Sequence, residues 1–169
     1  MSAFIELVLT QGYEGLTAED ISRKANVGRS TFYLHYANKA ALLAESIRKP
    51  SSRMAACVGA NVTPQQLLPL LEHFREQRTV NRTFFADPIR SLWVKSLAAL
   101  IEPRLAVRTV GLRPDFPRPL VALMIAEMQI ALITHWLAGK SLKADLIAEA
   151  LVSNTHAMIS AFSRFERTK

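Results

Sequence analysis

The residues best suited to chemistry crowd into one short stretch of the chain. Arg29, Ser30 and Thr31 are followed at close spacing by Tyr33, His35 and Lys39. Together they offer cations, hydroxyls, a phenol and an imidazole. Nothing around them has the order of a Ser/His/Asp triad, a paired-carboxylate site or a glycine-rich phosphate loop, so enzymatic chemistry is disfavoured. What the set can do is hydrogen-bond to phosphate oxygens and to the edges of bases. A guanidinium such as that of Arg29 can pair bidentately with guanine. The four basic residues between Arg23 and Lys39 (Arg23, Lys24, Arg29, Lys39) face no acidic residue in that interval. That is a local footprint for phosphate contact. The formal charge of +7 is not, because residues 1–49 hold six basic and five acidic residues while residues 50–169 hold fifteen and nine.

Chemistry of this kind needs helices to hold it at an angle. A first helix over Ala3–Gln11 would turn Phe4, Ile5, Val8 and Leu9 to one face and stop at Gly12. Thr17, followed by Glu19 and Asp20, caps a second helix whose dipole welcomes acids in its first turn. Ala18, Ile21 and Ala25 give it a narrow face of small side chains. Ala25-Asn26-Val27-Gly28 then makes a turn, with Asn26 tolerant of positive φ and Val27 placed to pack between the helices. A short helix over Arg29–Tyr36 follows, anchored inward by Phe32 and Tyr36 at i and i+4. Asn38 caps a further helix over Lys39–Lys49, with Pro50 as its stop and Pro50-Ser51-Ser52 as a linker. Two short helices, a tight turn and an exposed polar face are the requirements of a helix-turn-helix.

Gly12-Tyr13-Glu14-Gly15-Leu16-Thr17, Glu19-Asp20-Ile21, Ala25-Asn26-Val27 and the run Arg29 to Leu43 resemble the opening of the TetR family of bacterial repressors. Asn26 stands where that family usually has Gly, and Gly28 where a Ser commonly caps the recognition helix. The resemblance implies an all-α protein: a helix-turn-helix DNA-binding domain over residues 1–45 and a helical effector-binding and dimerisation domain over residues 46–169. It implies that Thr17, Tyr33, His35 and Lys39 hold phosphates while Arg29, Ser30 and Thr31 face base edges. It also implies a cytoplasmic homodimer that binds a palindromic operator on double-stranded DNA and responds to a small-molecule effector. The alternative is a coregulator of the same shape acting through a protein partner, with an enzyme or carrier using the same cavity a more distant rival.

The remainder of the chain repeats the helical grammar. Thr63-Pro64-Gln65-Gln66 is a variant capping box. Asp87-Pro88 opens a helix to about Glu102, before Pro103. Pro114, Pro117 and Pro119 mark a loop, and an apolar helix over Leu120–Ala138 ends at Gly139. Ser141 can cap a last helix, Leu142–Phe165, whose stripe runs through Leu146, Ala150, Leu151, Thr155, Met158, Ile159 and Phe162. Both late helices carry more apolar surface than a small monomer core needs, which agrees with pairing in a four-helix bundle. Leu120–Ala138 is long enough for a membrane span, yet Glu127, Gln129, Thr134 and His135 disfavour insertion, so no membrane is expected. Met1–Thr10 lacks the basic start of a secretory signal.

An effector cavity is expected within Gln65–Leu105, with Phe74, Phe84, Phe85, Trp93, Met124 and Met128 as an adaptable apolar wall. That wall suits an apolar effector, while the nine basic and four acidic residues of 75–118 favour an anionic one, with Arg78 and Arg82 its first candidate contacts. The single cysteine, Cys57, excludes an internal disulfide and a Cys-based zinc site. His73, His135 and His156 lack metal-ligand spacing, and no metal or cofactor is expected.

Overall fold

A computed structural model describes residues 1–107, 112–113, 115–139 and 142–163. Among the described residues the regular elements are helical, apart from an isolated bridge between Leu112 and Ser163. In chain order they are α1 (Ser2–Gln11), α2 (Ala18–Lys24), α3 (Arg29–His35), α4 (Lys39–Ala55), α5 (Leu68–Glu76), α6 (Arg78–Phe84), α7 (Ile89–Ala106), α8 (Arg118–Ala138) and α9 (Ala144–Phe162). The expected Ser141 cap, Pro114 and Phe165 lie outside the described residues.

α1 ends at Gly12, whose φ of 76° suits a residue without Cβ. Its buried face is Phe4, Leu7 and Val8, while Leu9 is exposed. Phe4 meets Tyr13 and Phe84 edge-on, at 6.4 and 6.3 Å between ring centroids, so α1 packs on α6 as well as on its own domain.

Two expected helix stops are not stops. α4 runs through Pro50 to Ala55, and α7 runs through Pro103 to Ala106. An interior proline costs about 3 kcal/mol through a lost hydrogen bond and a clash with the preceding turn. In both helices the chain around and beyond the proline is buried: Ser51, Met54 and Ala55 in α4, Ile101 and Leu105 in α7. Tertiary burial of these turns offsets the local penalty. Pro50-Ser51-Ser52 is therefore part of a continuous helix and not a linker.

α8 and α9 form an antiparallel hairpin. The Trp136 indole N–H donates to the Leu142 carbonyl at 2.9 Å, Gln129 Nε2 donates to Thr155 Oγ1 at 2.9 Å, and Phe116 lies 4.6 Å from Phe162. α7 packs along both α8 and α4. The inward seam of α9 is Ile147, Ala148, Leu151, Val152, Thr155 and Ile159. Leu142 and Leu146, expected to start that seam, instead point outward. Leu120, Leu123 and Met124, at the start of α8 and so at the other end of the hairpin, are exposed as well. α8 is long and apolar enough to cross a membrane, but half of its most apolar stretch is buried against the rest of the chain.

Candidate nucleic-acid interface

α2 is held at its start by a reciprocal cap. The Asp20 N–H donates to Thr17 Oγ1 at 3.1 Å, and the Thr17 N–H donates to Asp20 Oδ2 at 3.1 Å. The Thr17 hydroxyl also donates to Asp20 Oδ2, at 2.5 Å. These bonds, with Arg23 nearby, hold the Asp20 carboxyl below the usual carboxylate range. Ile21 and Ser22 bury the inner face of α2. At the turn Asn26 takes φ 53°, and the Val27 N–H returns to the Ser22 carbonyl at 3.0 Å. The backbone closes this corner unaided, so the Val27 side chain stays 43 % exposed and does not wedge between the helices. Ala25 is exposed too.

α3 begins at Gly28, which has extended φ and ψ and supplies no side-chain cap. Phe32 is its buried anchor, packed on Tyr33 at 5.4 Å and on half-buried Tyr36 at 5.8 Å. Arg29, Ser30, Thr31, Tyr33 and His35 are all exposed, as the spacing predicted. The Arg29 guanidinium rests 5.6 Å from the Tyr33 ring centre, a cation–π contact that pre-orients it across the helix surface. Sequence reasoning missed Leu34, which is 80 % exposed. It follows Ser30 by four residues and Thr31 by three, so it shares their face, where an apolar side chain can meet a thymine methyl.

Two residues expected to hold phosphates have other engagements. Lys39 Nζ donates to three carbonyls, those of Tyr13 at 2.9 Å, Glu14 at 2.7 Å and Leu16 at 2.9 Å. It also lies 4.8 Å from the Tyr13 ring centre. An ammonium has three N–H donors, and all are used to tie the α1–α2 loop to the start of α4. The Thr17 hydroxyl is similarly committed to Asp20. Arg23 pairs with Glu19 and Asp20, and Lys24 with Glu6. Those pairs are exposed and worth little, about 0–1 kcal/mol, so both side chains can swing to a phosphate. Arg29 and Lys39 have no acidic partner among the described residues, and of the two only Lys39 is committed to backbone carbonyls.

The helix that follows carries the head into the body. The Ala41 N–H donates to Asn38 Oδ1 at 2.9 Å, the expected cap. Inside the body, Phe74, Phe85 and Trp93 form an aromatic cluster with Phe85 stacked on Trp93 at 4.7 Å. A cavity of about 400 Å³ lies between α1, α4, α5, α6 and α7, with Ile5, Ile47, Leu70, Phe74, Phe84 and Trp93 in its wall. The Trp93 indole N–H is buried with no hydrogen-bond partner among the described residues. Five residues expected at the cavity are outside its wall, Phe85 among them, buried behind Trp93. Arg78 caps the C-terminus of α8, donating to the carbonyls of Leu137, Ala138 and Gly139 at 2.7, 3.0 and 2.6 Å. There its charge faces the negative end of the helix dipole. Met124 and Met128 belong to α8 outside the cavity wall, Met124 on the exposed face of the hairpin. Arg82 is solvent-exposed and also outside the wall.

Residues 1–46 match the model of a family described as bacterial regulatory proteins, tetR family. A segment of 48 residues is 48% identical to the HTH-type transcriptional regulator YxbF of Bacillus subtilis (strain 168), covering 28% of this chain and 13% of that protein. The match thus spans about an eighth of the relative's length. Over most of both chains the fold is similar to that of a TetR transcriptional regulator from Streptococcus agalactiae 2603V. Identity is 26%, coverage 96% of this chain and 90% of that one, and the TM-score 0.55. It is also similar to Thermus thermophilus FadR, a TetR-family repressor solved with lauroyl-CoA, at 21% identity, 99% and 95% coverage and a TM-score of 0.53.

Proposed function

Since residues 1–46 match the TetR family of bacterial regulatory proteins, we propose that the chain is a member of that family and a ligand-responsive repressor that binds a palindromic operator as a homodimer. The observation that carries this reading is α3: Phe32 pins it from beneath while Arg29, Ser30, Thr31, Tyr33, Leu34 and His35 all stand in solvent. A seven-residue helix with a single buried side chain contributes little to a core. Its outward polar surface suits the major groove.

The outer face of the α8–α9 hairpin supports the dimer. Leu120, Leu123 and Met124 are exposed at one end of the hairpin and Leu142 and Leu146 at the other, and an isologous two-fold contact along the hairpin could bury both groups. Such a dimer presents two α3 helices to half-sites about one helical turn apart. α6 suits the coupling role, because it touches all three regions that must communicate. Phe84 meets α1, Val80 and Asn81 border the cavity, and Arg78 holds the end of α8. A ligand that binds the two arrangements of α4 and α6 with different affinity would shift the spacing of the heads.

Selecting bound sequences from random duplex DNA tests the reading. An enriched palindrome at moderate salt supports it. A second reading is that of a coregulator acting through a protein partner. It draws on the pairing of Arg23 and Lys24 and the commitment of Lys39, which leave Arg29 as the cation of residues 23–39 with no hydrogen bond or ion pair among the described residues. No enriched sequence at any salt concentration, with a captured protein partner instead, would favour it.

A further inference from the structure

Lys49, Pro50 and Leu70 belong to two adjoining spaces at once. One is the 400 Å³ cavity. The other is an open groove of about 520 Å³ bordered by Arg48, Lys49, Ser52 and Arg53. The first wall is mainly apolar, with Ile5, Ile47, Phe74, Phe84 and Trp93, beside the polar side chains of Ser46, His73, Gln77 and Asn81. The second is cationic: three basic side chains stand against one carboxylate, Glu45, which Arg48 holds at 2.9 and 3.0 Å. Lys49 and Arg53 are exposed and have no ion-pair partner among the described residues.

We propose that this pair of spaces is one site for an amphipathic anion. Its apolar chain of medium length lies in the cavity and its carboxylate or phosphate head sits at Lys49 and Arg53. The inference rests on the ligand-responsive reading above and names the chemical class of the ligand. Size supports it, since about 400 Å³ is near the lower end of ligand pockets, room for a short acyl or alkyl chain and not for a bulky headgroup. Charge supports it as well. The cations flank the mouth, where a head can remain partly hydrated, and Lys49 is the one Lys or Arg side chain among the described residues that borders the cavity itself, beside His73 and the N-terminal Met1. The site also spans the joint between the two halves of the molecule. Ile5 comes from α1, Ile47 and Lys49 from α4, and the remaining wall from α5, α6 and α7. A chain inserted there presses on the helix that carries the reading head.

The test uses the full chain, with octanoate, octanoyl-CoA and 1-octanol as probes. Binding is read by the fluorescence of Trp93 in a Trp136→Phe background, since the chain has two tryptophans, and by calorimetry on the unsubstituted protein. Saturable binding of one octanoate or octanoyl-CoA per chain is expected, with 1-octanol at least about tenfold weaker. The Lys49→Gln/Arg53→Gln variant loses about tenfold or more for the anions only, and Val80→Phe, which narrows the cavity, weakens all three. Octanoate against octanoyl-CoA tells a free carboxylate from a phosphate-bearing carrier. Equal affinity for 1-octanol, or full anion binding by the double Gln variant, would overturn the head contact. Absence of binding by both anions would overturn the site. Operator affinity measured alongside separates the two claims. Octanoate bound without change in DNA affinity sinks the effector reading and leaves the site; DNA release by a different ligand class, with neither anion bound, sinks the site and leaves the reading.

Discussion

Replacing Lys39 with methionine separates a structural role from a phosphate contact. Methionine keeps an unbranched apolar stem and removes the ammonium. The ammonium serves three carbonyls at 2.7–2.9 Å; those of Tyr13 and Leu16 are partly buried, and that of Glu14 is exposed. A hydrogen bond to a charged group contributes about 1.5–3 kcal/mol, but water can reach the Glu14 carbonyl and rescue part of the loss. Because Lys39 is itself partly exposed, its three bonds are counted together as one such contribution, and adding the contact with the Tyr13 ring, about 0.5–1 kcal/mol, gives about 2–4 kcal/mol. For a chain of this size that lowers Tm on the order of 5–15 °C, measured by thermal unfolding followed by circular dichroism. The second measurement is the salt dependence of DNA binding. Each neutralised phosphate contributes about 0.9 to the slope of log K against log salt. Because every donor of Lys39 is occupied, the slope should be the same in variant and parent. A slope smaller by about one with an unchanged Tm would refute the carbonyl staple and restore the phosphate contact.

Gly28→Ser should stabilise α3. Its φ of −65° and ψ of 147° suit any residue, and a Cβ there would lie 3.6 Å from Ser30 Oγ and from Thr31 Oγ1. The added cap is worth a few tenths of a kcal/mol, seen as a Tm rise of roughly 1–2 °C; a lower Tm would contradict it. Asp20 has a depressed carboxyl held first by Thr17. The stability this gives is present above the ordinary Asp range and is lost as pH falls through the depressed value. Asp20→Asn should therefore lose less stability than the parent between about pH 5 and pH 2, and equal acid loss in both would be contrary. Burial pushes the Cys57 thiol up to about 12. Iodoacetamide should spare it in the folded protein at mildly alkaline pH and label it on unfolding, as mass spectrometry would report.

The reading head was legible because its signals are local. Thr17 with Asp20, Asn26 at positive φ, the Phe32 anchor and the Asn38 cap each act within four residues. What stayed hidden depends on partners far away in sequence. Lys39 and Arg78 look like free cations until the fold delivers carbonyls to them from the α1–α2 loop and from the end of α8. Backbone acceptors carry no side-chain signature, so residue types could not announce them. Pro50 and Pro103 read as stops because a proline's local cost is visible and the burial of Met54 or Leu105 is not. The outward turn of Leu142 and Leu146 escaped for a related reason. α9 has two apolar faces, and helical spacing does not say which one the chain buries against itself. The cavity was legible in its aromatic wall of Phe74, Phe84 and Trp93, but its contribution from α1 and α4 was not.

The central claim is that α3 reads DNA sequence through its exposed face. Its most direct test is the affinity of the purified protein for its selected palindrome and for duplexes changed one base pair at a time, for the parent and for Arg29→Ala. The parent should discriminate. Arg29→Ala should lose about 1–3 kcal/mol of preference at one base pair in each half-site while its affinity for unrelated duplex changes little. A parent that binds every duplex alike, or an Arg29→Ala variant weakened equally on all of them, would contradict the account.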